Sequence, residues 1–167
     1  MIELKVMGIA LDTRTGTPIV VLNDTENRRA LPIWIGTAEA SAIIRQLENI
    51  KSARPMTHDL MHSMLNTLGY EIVKIEINDL NSDTYYATIF ITNKAGQTEQ
   101  IDARPSDAIA LALRADAPIY ATANVVADGT ISTDHERDEQ ETEAFKSFLE
   151  GLKASDFKFD KDIESNQ

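Results

Sequence analysis

A guanidinium, an imidazole and a carboxylate crowd one short stretch, Arg54-Pro55-Met56-Thr57-His58-Asp59, at a loop-to-helix junction. His58 and His62 stand four apart, on one side of the helix that follows. Imidazoles so spaced suit metal ligation or proton transfer. There is no His-Glu-x-x-His motif, so the metallopeptidase signal is absent. The plainer alternative is local: His58 hydrogen-bonds backbone at a helix start and His62 faces water. A second cluster is Ile101-Asp102-Ala103-Arg104-Pro105-Ser106-Asp107. Asp102 ends a strand, Arg104 sits in the connection, and Asp107 enters the first helical turn. Two carboxylates and an arginine so placed suit Mg²⁺ or Mn²⁺ together with a phosphate. Asp107 equally suits the helix dipole, and Arg104 equally suits a brace to Asp102 or Asp59. In the third stretch, Leu31-Pro32-Ile33-Trp34-Ile35-Gly36, Trp34 reads more readily as core or interface than as a base-stacking platform. Glu39 follows at a helix start, and Arg28 and Arg29 beside a turn are candidates for a basic patch. The sequence has no glycine-rich phosphate loop and no nucleophilic-serine motif.

The elements that must position these groups follow from the apolar periodicity. Residues 2–11, 19–22 and 29–35 read as strands, and residues 37–50 as a helix rich in small residues. Thr57 is the expected N-cap of a second helix, with Leu60, Met61, Met64, Leu65 and Leu68 as its apolar stripe and Gly69 as its stop. His58 and His62 lie at the edge of that stripe. Residues 70–79, 85–92 and 97–102 read as three more strands, joined by turns at Asn81-Ser82-Asp83 and Asn93-Lys94-Ala95-Gly96. An almost wholly apolar helix begins near Pro105, and residues 118–122 suit a short last strand. The expected fold class is therefore α+β, with a strand-strand-strand-helix unit used twice in a mixed or antiparallel sheet assembly. Ala53-Arg54-Pro55 and Ala103-Arg104-Pro105 form a short internal echo that fits such a duplication.

The chain of 167 residues suits one domain with an appendage. It has no cysteine, which removes disulfides, thiolate metal sites and cysteine nucleophiles. The N-terminus reads as a strand rather than a signal peptide, and the cytoplasm is the expected compartment. No apolar run is long enough for a membrane span. The net charge is −11, of which −5 belongs to residues 1–133 and −6 to residues 134–167. That balance disfavours non-specific polyanion binding, so nucleic acid is reachable through a local patch only. Residues 1–133 are the expected domain. Residues 134–167 are an acidic extension, with a short amphipathic helix on Phe145, Phe148, Leu149 and Leu152 and disorder from Lys161 onward.

Leu31-Pro32-Ile33-Trp34-Ile35-Gly36, Glu39-Ala40, the stretch from Arg54 to Leu60, the stretch from Ile101 to Ala112 and Pro118-Ile119-Tyr120 together resemble the bifunctional nuclease family. This bacterial domain, shared with plants, was formerly described only as one of unknown function. The resemblance covers about residues 1–130. It implies an α+β fold with a duplicated strand-and-helix unit, homo-oligomers, and degradation of both DNA and RNA. Glu39, Arg54, His58, Asp59, Asp102, Arg104 and Asp107 occupy the motif positions, and the resemblance assigns no role to any one of them.

Three readings follow. In the first, a phosphodiesterase uses Mg²⁺ or Mn²⁺ held by Asp59, Asp102, Asp107 or Glu39. Arg54 and Arg104 steady phosphate charge in a local positive cleft, His58 transfers a proton, and Asp107 counts among the catalytic as well as the metal-binding candidates. In the second, the same arginines serve a non-catalytic domain that binds a protein or a small anion. In the third, the motifs form only the helix junctions of an oligomer. Geometry separates them: two carboxylates must converge beside an open pocket for a metal site, whereas carboxylates saturated by arginines and backbone favour binding or structure.

Overall fold

The computed structural model describes residues 1–133 and, beyond them, only Ser147, which is helical and exposed. The expectations for the rest of the acidic extension lie outside the described residues. Strands β1 (Ile2–Leu11), β2 (Pro18–Asp24) and β3 (Arg29–Trp34) form an antiparallel meander followed by helix α1 (Thr37–Leu47). After helix α2 (Thr57–Thr67), strands β4 (Tyr70–Asn81), β5 (Thr84–Asn93) and β6 (Thr98–Ala103) form a second meander followed by helix α3 (Pro105–Ala115). The expected unit of three strands and a helix is thus used twice. The arginine-proline echo is no trace of it, because Arg54 precedes α2 whereas Arg104 precedes α3, the counterpart of α1.

Strand β7 (Ile119–Ala121) joins the two meanders. It pairs antiparallel with β1 and parallel with β4. A short helix, α4 (Ala123–Gly129), and a two-residue strand, β8 (Ile131–Ser132), complete the domain. The resulting mixed sheet has the order β6-β5-β4-β7-β1-β2-β3-β8. Helix α4 packs on both β3 and β4, which are four places apart in the sheet. Flat strands so spaced would lie about 19 Å apart, too far for one helix about 10 Å across. The sheet is therefore strongly coiled. The coil brings the tip of the β4–β5 hairpin close to the end of β3. Both central residues of that two-residue turn, Ser82 and Asp83, have positive φ, at 49° and 62°, which is the backbone that matches strand twist in a tight hairpin.

Helices α1, α2 and α3 lie side by side, with α3 in contact with both neighbours and with β4 and β5. The main core includes Val20, Leu22, Leu31, Ile43, Ile75, Ile109 and Leu111. A smaller cluster of Ala10, Ile19, Val21 and Ala30 covers the other face of β2. Two-sided burial explains why Ile19-Val20-Val21-Leu22 runs apolar without alternation. No helix among the described residues is long and apolar enough to cross a membrane.

Helix α2 departs from the expected packing. Its apolar stripe faces outward: Leu60, Met61, Met64 and Leu68 are exposed, and of the stripe only Leu65 is partly buried against the core. The inward face carries His58, Asp59 and His62 instead. The N-cap is Met56 rather than Thr57, and the Asp59 carboxylate accepts a hydrogen bond from the Met56 N–H at 3.0 Å. Gly69 ends the helix with φ 82°, as its position requires.

Candidate functional site

Three acids occupy the same local position. Glu39, Asp59 and Asp107 are each the third residue of a helix, where a carboxylate complements free N–H groups and the helix dipole. Packing of α1, α2 and α3 brings these three helix starts around one cleft of about 490 Å³, lined by Glu39, Arg45, His58, Met61, Arg104, Asp107 and Arg114 among others.

Asp107 is the centre of the cluster. Its Oδ1 accepts from His58 Nε2 at 2.9 Å, and its Oδ2 accepts from Arg104 Nε at 2.8 Å. Arg104 Nη1 also pairs with Glu39 Oε1 at 3.0 Å. A continuous chain therefore runs Glu39–Arg104–Asp107–His58 across all three helices. Local sequence shapes it. Pro105 opens α3 at a position where no N–H is needed, which leaves Arg104 as the N-cap residue with its side chain free to reach back. A Cβ on Gly36 would collide with the Glu39 carboxylate, so this glycine leaves the space in which Glu39 folds over the start of α1.

A second ion pair lies next to the first. Arg114 donates from Nε to Asp59 Oδ1 at 2.6 Å, from Nη1 to the Ala110 carbonyl at 2.9 Å and from Nη2 to the Ala42 carbonyl at 3.2 Å. Its side chain is only 5% exposed. Sequence reasoning missed Arg114. The available signal was a charged residue in the last turn of an almost wholly apolar helix, where a buried guanidinium requires partners.

Of the expected site residues, the fold brings together Glu39, His58, Arg104 and Asp107, with Asp59 beside them in the Arg114 pair. It does not bring Arg54 or Asp102 to the cluster. Arg54 lies in the exposed loop before α2, and Asp102 is exposed on β6. Neither side chain has a hydrogen bond or ion pair among the described residues. His62 is half-buried and meets Asn66 at 3.4 Å, outside the chain of contacts around Asp107.

Burial by itself would raise the Asp107 carboxyl, but hydrogen bonds from Arg104 and His58 outweigh it and hold the group below its ordinary range. Burial likewise opposes, and the Met56 N–H and Arg114 overcome, the same effect at Asp59, which also lies low. The Arg104 guanidinium is raised, first by its hydrogen bond to Asp107. The folded protein thus binds fewer protons at both carboxyls than the unfolded chain. Their stabilisation is complete above the ordinary carboxyl value of about 4 and is lost as pH falls through the lowered folded values. Melting temperature is expected to decline as pH drops from about 5 toward 2, and Asp59→Asn is expected to flatten that decline. A wild-type melting temperature constant through this window would contradict the linkage.

An ionised Asp107 only accepts hydrogen bonds, so His58 Nε2 donates at this contact, and in the neutral imidazole Nδ1 is then the acceptor. No protein group among the described residues is recorded on Nδ1, and His58, though largely buried, lines the cleft. A carboxylate that orients an imidazole at a cleft is the geometry a general base requires. Arg104 uses two of its five N–H donors on carboxylates and has three left for an anion. The fit to a resident Mg²⁺ or Mn²⁺ is poor. Glu39 and Asp107 share one guanidinium, Asp59 is bound by another, and among the described residues no group of three or more His, Asp or Glu side chains is placed to hold a metal ion.

The sequence profile of the bifunctional nuclease domain matches residues 20–134. An uncharacterized protein of Mycobacterium tuberculosis is 35% identical over 164 residues, covering 93% of this chain and 98% of that protein. Bifunctional nuclease 2 of Oryza sativa is 32% identical over 105 residues, and Bifunctional nuclease 1 of Arabidopsis thaliana 27% over 113 residues. These matches cover 61% and 62% of this chain but only 32% and 35% of the plant proteins. With the three motifs folded around one cleft and the domain profile spanning most of the described residues, the chain belongs to the bifunctional nuclease family.

Proposed function

We propose that this chain hydrolyses phosphodiester bonds of DNA and RNA in the cleft between α1, α2 and α3. The observation that carries the proposal is Asp107 holding His58 at 2.9 Å and Arg104 at 2.8 Å on its two oxygens. His58 Nδ1 takes the proton of an attacking water as its oxygen bonds to phosphorus, Asp107 stabilises the imidazolium that forms, and the P–O ester bond breaks, with the departing sugar oxygen taking a proton from solvent. The free donors of Arg104 bind the non-bridging phosphate oxygens, where charge builds in the transition state. A water nucleophile needs no 2′-hydroxyl, which suits both nucleic acids. The names of the plant relatives agree with this activity. The acidic surface confines binding to a local patch around Arg104. No step is assigned to a divalent cation, because Glu39, Asp59 and Asp107, three of its expected ligands, are taken by guanidiniums, and the fourth, Asp102, lies outside the cluster. We also propose a homo-oligomer, supported by the exposed apolar face of α2.

One observation favours a second reading. Glu39, Asp59 and Asp107 are all paired with arginines, as a non-catalytic domain binding a protein or a small anion would tolerate. The test is hydrolysis of labelled single-stranded DNA and RNA by rigorously purified protein, with Mg²⁺, Mn²⁺ and EDTA compared and His58→Ala run beside wild type. Cleavage by wild type and its loss in the folded variant are expected. An inactive wild type, or a variant as active as wild type, would move the assignment to the binding module. Activity abolished by EDTA would return a cation to the mechanism.

A further inference from the structure

Arg104 borders a second cleft, of about 380 Å³, besides the one that holds His58. The end of β3, the tip of the β4–β5 hairpin and the start of α3 enclose it. Trp34 forms one wall and is 51% exposed. A single exposed aromatic is ordinary on a protein surface, but this one is tethered. Its indole N–H donates to Asp12 Oδ2 at 3.1 Å, and the other oxygen of Asp12 accepts the Arg14 N–H at 3.0 Å. The ring is therefore held by its edge, on the last residue of a strand whose other side chains are largely buried, while much of its surface stays open. An aromatic fixed before binding loses little freedom when a ligand stacks on it.

The charges inside the cleft state what it accepts. Arg104 is its one cation among the described lining residues, and Asp83 places a carboxylate on the facing hairpin. The carboxylate repels a phosphate from the interior, and the Arg104 end attracts one. Tyr85 adds a second, half-buried aromatic ring to the hairpin side. An uncharged planar ring joined to a phosphate fits this layout: the ring goes against Trp34 and the phosphate to Arg104.

We propose that the Trp34 cleft is a nucleobase subsite that selects single-stranded nucleic acid. The base next to the phosphate on Arg104 stacks on the indole. A duplex keeps its bases stacked internally and cannot supply one without unpairing it. Every base has a π-face, so such a platform is tolerant of sequence. The subsite rests on the nuclease reading for its purpose, but not for its existence, since base binding requires no hydrolysis.

The chain contains one tryptophan, so intrinsic indole fluorescence reports Trp34 alone. The probe is a short single-stranded oligothymidylate with phosphorothioate linkages, which resist cleavage. An abasic strand of the same length and a blunt duplex are the controls. Saturable quenching by oligothymidylate, and little by either control, is expected. In the cleavage assay, Trp34→Leu is expected to raise KM for single-stranded substrate by about ten- to a hundredfold with kcat nearly unchanged. Absent quenching, or equal quenching by the abasic strand, overturns the subsite even if the protein cleaves nucleic acid. Selective quenching without any cleavage sustains the subsite and overturns the nuclease reading instead. The wild-type titration decides the matter if Trp34→Leu does not fold.

Discussion

Asp107→Asn is expected to lower phosphodiester cleavage by about two to four orders of magnitude while the domain stays folded. The change is nearly isosteric, so its effect lies in hydrogen-bond polarity. The carboxylate accepts from both His58 Nε2 and Arg104 Nε. An amide can accept on one side only. With its oxygen toward Arg104, its NH₂ group faces His58 and must donate to Nε2. The imidazole proton then moves to Nδ1, the nitrogen that is to act as base, and the base is blocked. With the amide reversed, two donors face each other at Arg104 and the guanidinium proposed to bind phosphate is released. Either arrangement removes one half of the machinery. A pH–rate profile separates this from simple loss of structure. Residual activity in the variant should lose the pH dependence that a working general base gives in wild type. A folded Asp107→Asn protein with wild-type activity and an unchanged profile would disqualify the dyad.

The largest stability effect is expected at Arg114. Replacing it by Met keeps much of the packing volume and removes three hydrogen bonds. Asp59 and the carbonyls of Ala42 and Ala110 lose their shared donor. Removing one partner of a buried ion pair costs about 3–5 kcal/mol. Asp59 retains 38% side-chain exposure, so water recovers part of the loss and the lower end, about 3 kcal/mol, applies. For a domain of this size that corresponds to a drop of roughly 10 °C in melting temperature. Arg114→Lys should fall between, since one ammonium cannot serve all three acceptors in the geometry of a planar fork. Adding Asp59→Asn to Arg114→Met should cost less than Asp59→Asn does in wild type, because the two residues share one interaction. A melting temperature within about 2 °C of wild type for Arg114→Met would mean that the pair contributes nothing net.

Much of the fold was legible because two periodicities dominate the sequence. Most of the long strands and the three long helices follow their apolar residues, the uninterrupted run of β2 and the polar β6 being the departures, and Gly69, Pro105 and the turn at Ser82-Asp83 punctuate them where local backbone demands it. Helix α4 and strand β8 were not legible, because seven and two residues are too short to express a period. The orientation of α2 was missed for a different reason. Periodicity locates an apolar stripe but not what covers it. Here His58–Asp107 and Asp59–Arg114 turn the polar face of α2 inward, against α3, and leave Leu60, Met61, Met64 and Leu68 outside. At the site, helix-start acids are visible from local sequence alone, whereas the partner of each acid depends on helix packing. Arg104 was therefore legible as a member of the same cluster as Asp107, but the expected brace to Asp102 or Asp59 does not form, and Arg104 pairs with Asp107 and Glu39 instead.

The three-residue strand β7 has a consequence for how the chain comes to be folded at all. Its pairing with Ile2–Leu4 on one side and Ile75–Ile77 on the other supplies the backbone ladder that joins the two halves of the sheet. During synthesis the first meander is complete long before residue 119 is made, and its β1 edge must wait with free N–H and C=O groups. The β4 edge waits in the same way. Two open edges held apart only by the absence of a late strand are a natural occasion for exchange between neighbouring nascent chains. The short segment Ile119-Tyr120-Ala121 closes both edges in one step, so the long-range contacts that complete the sheet form together and late. The two meanders consequently mature as one cooperative unit, at the slow pace expected of non-local strand pairing.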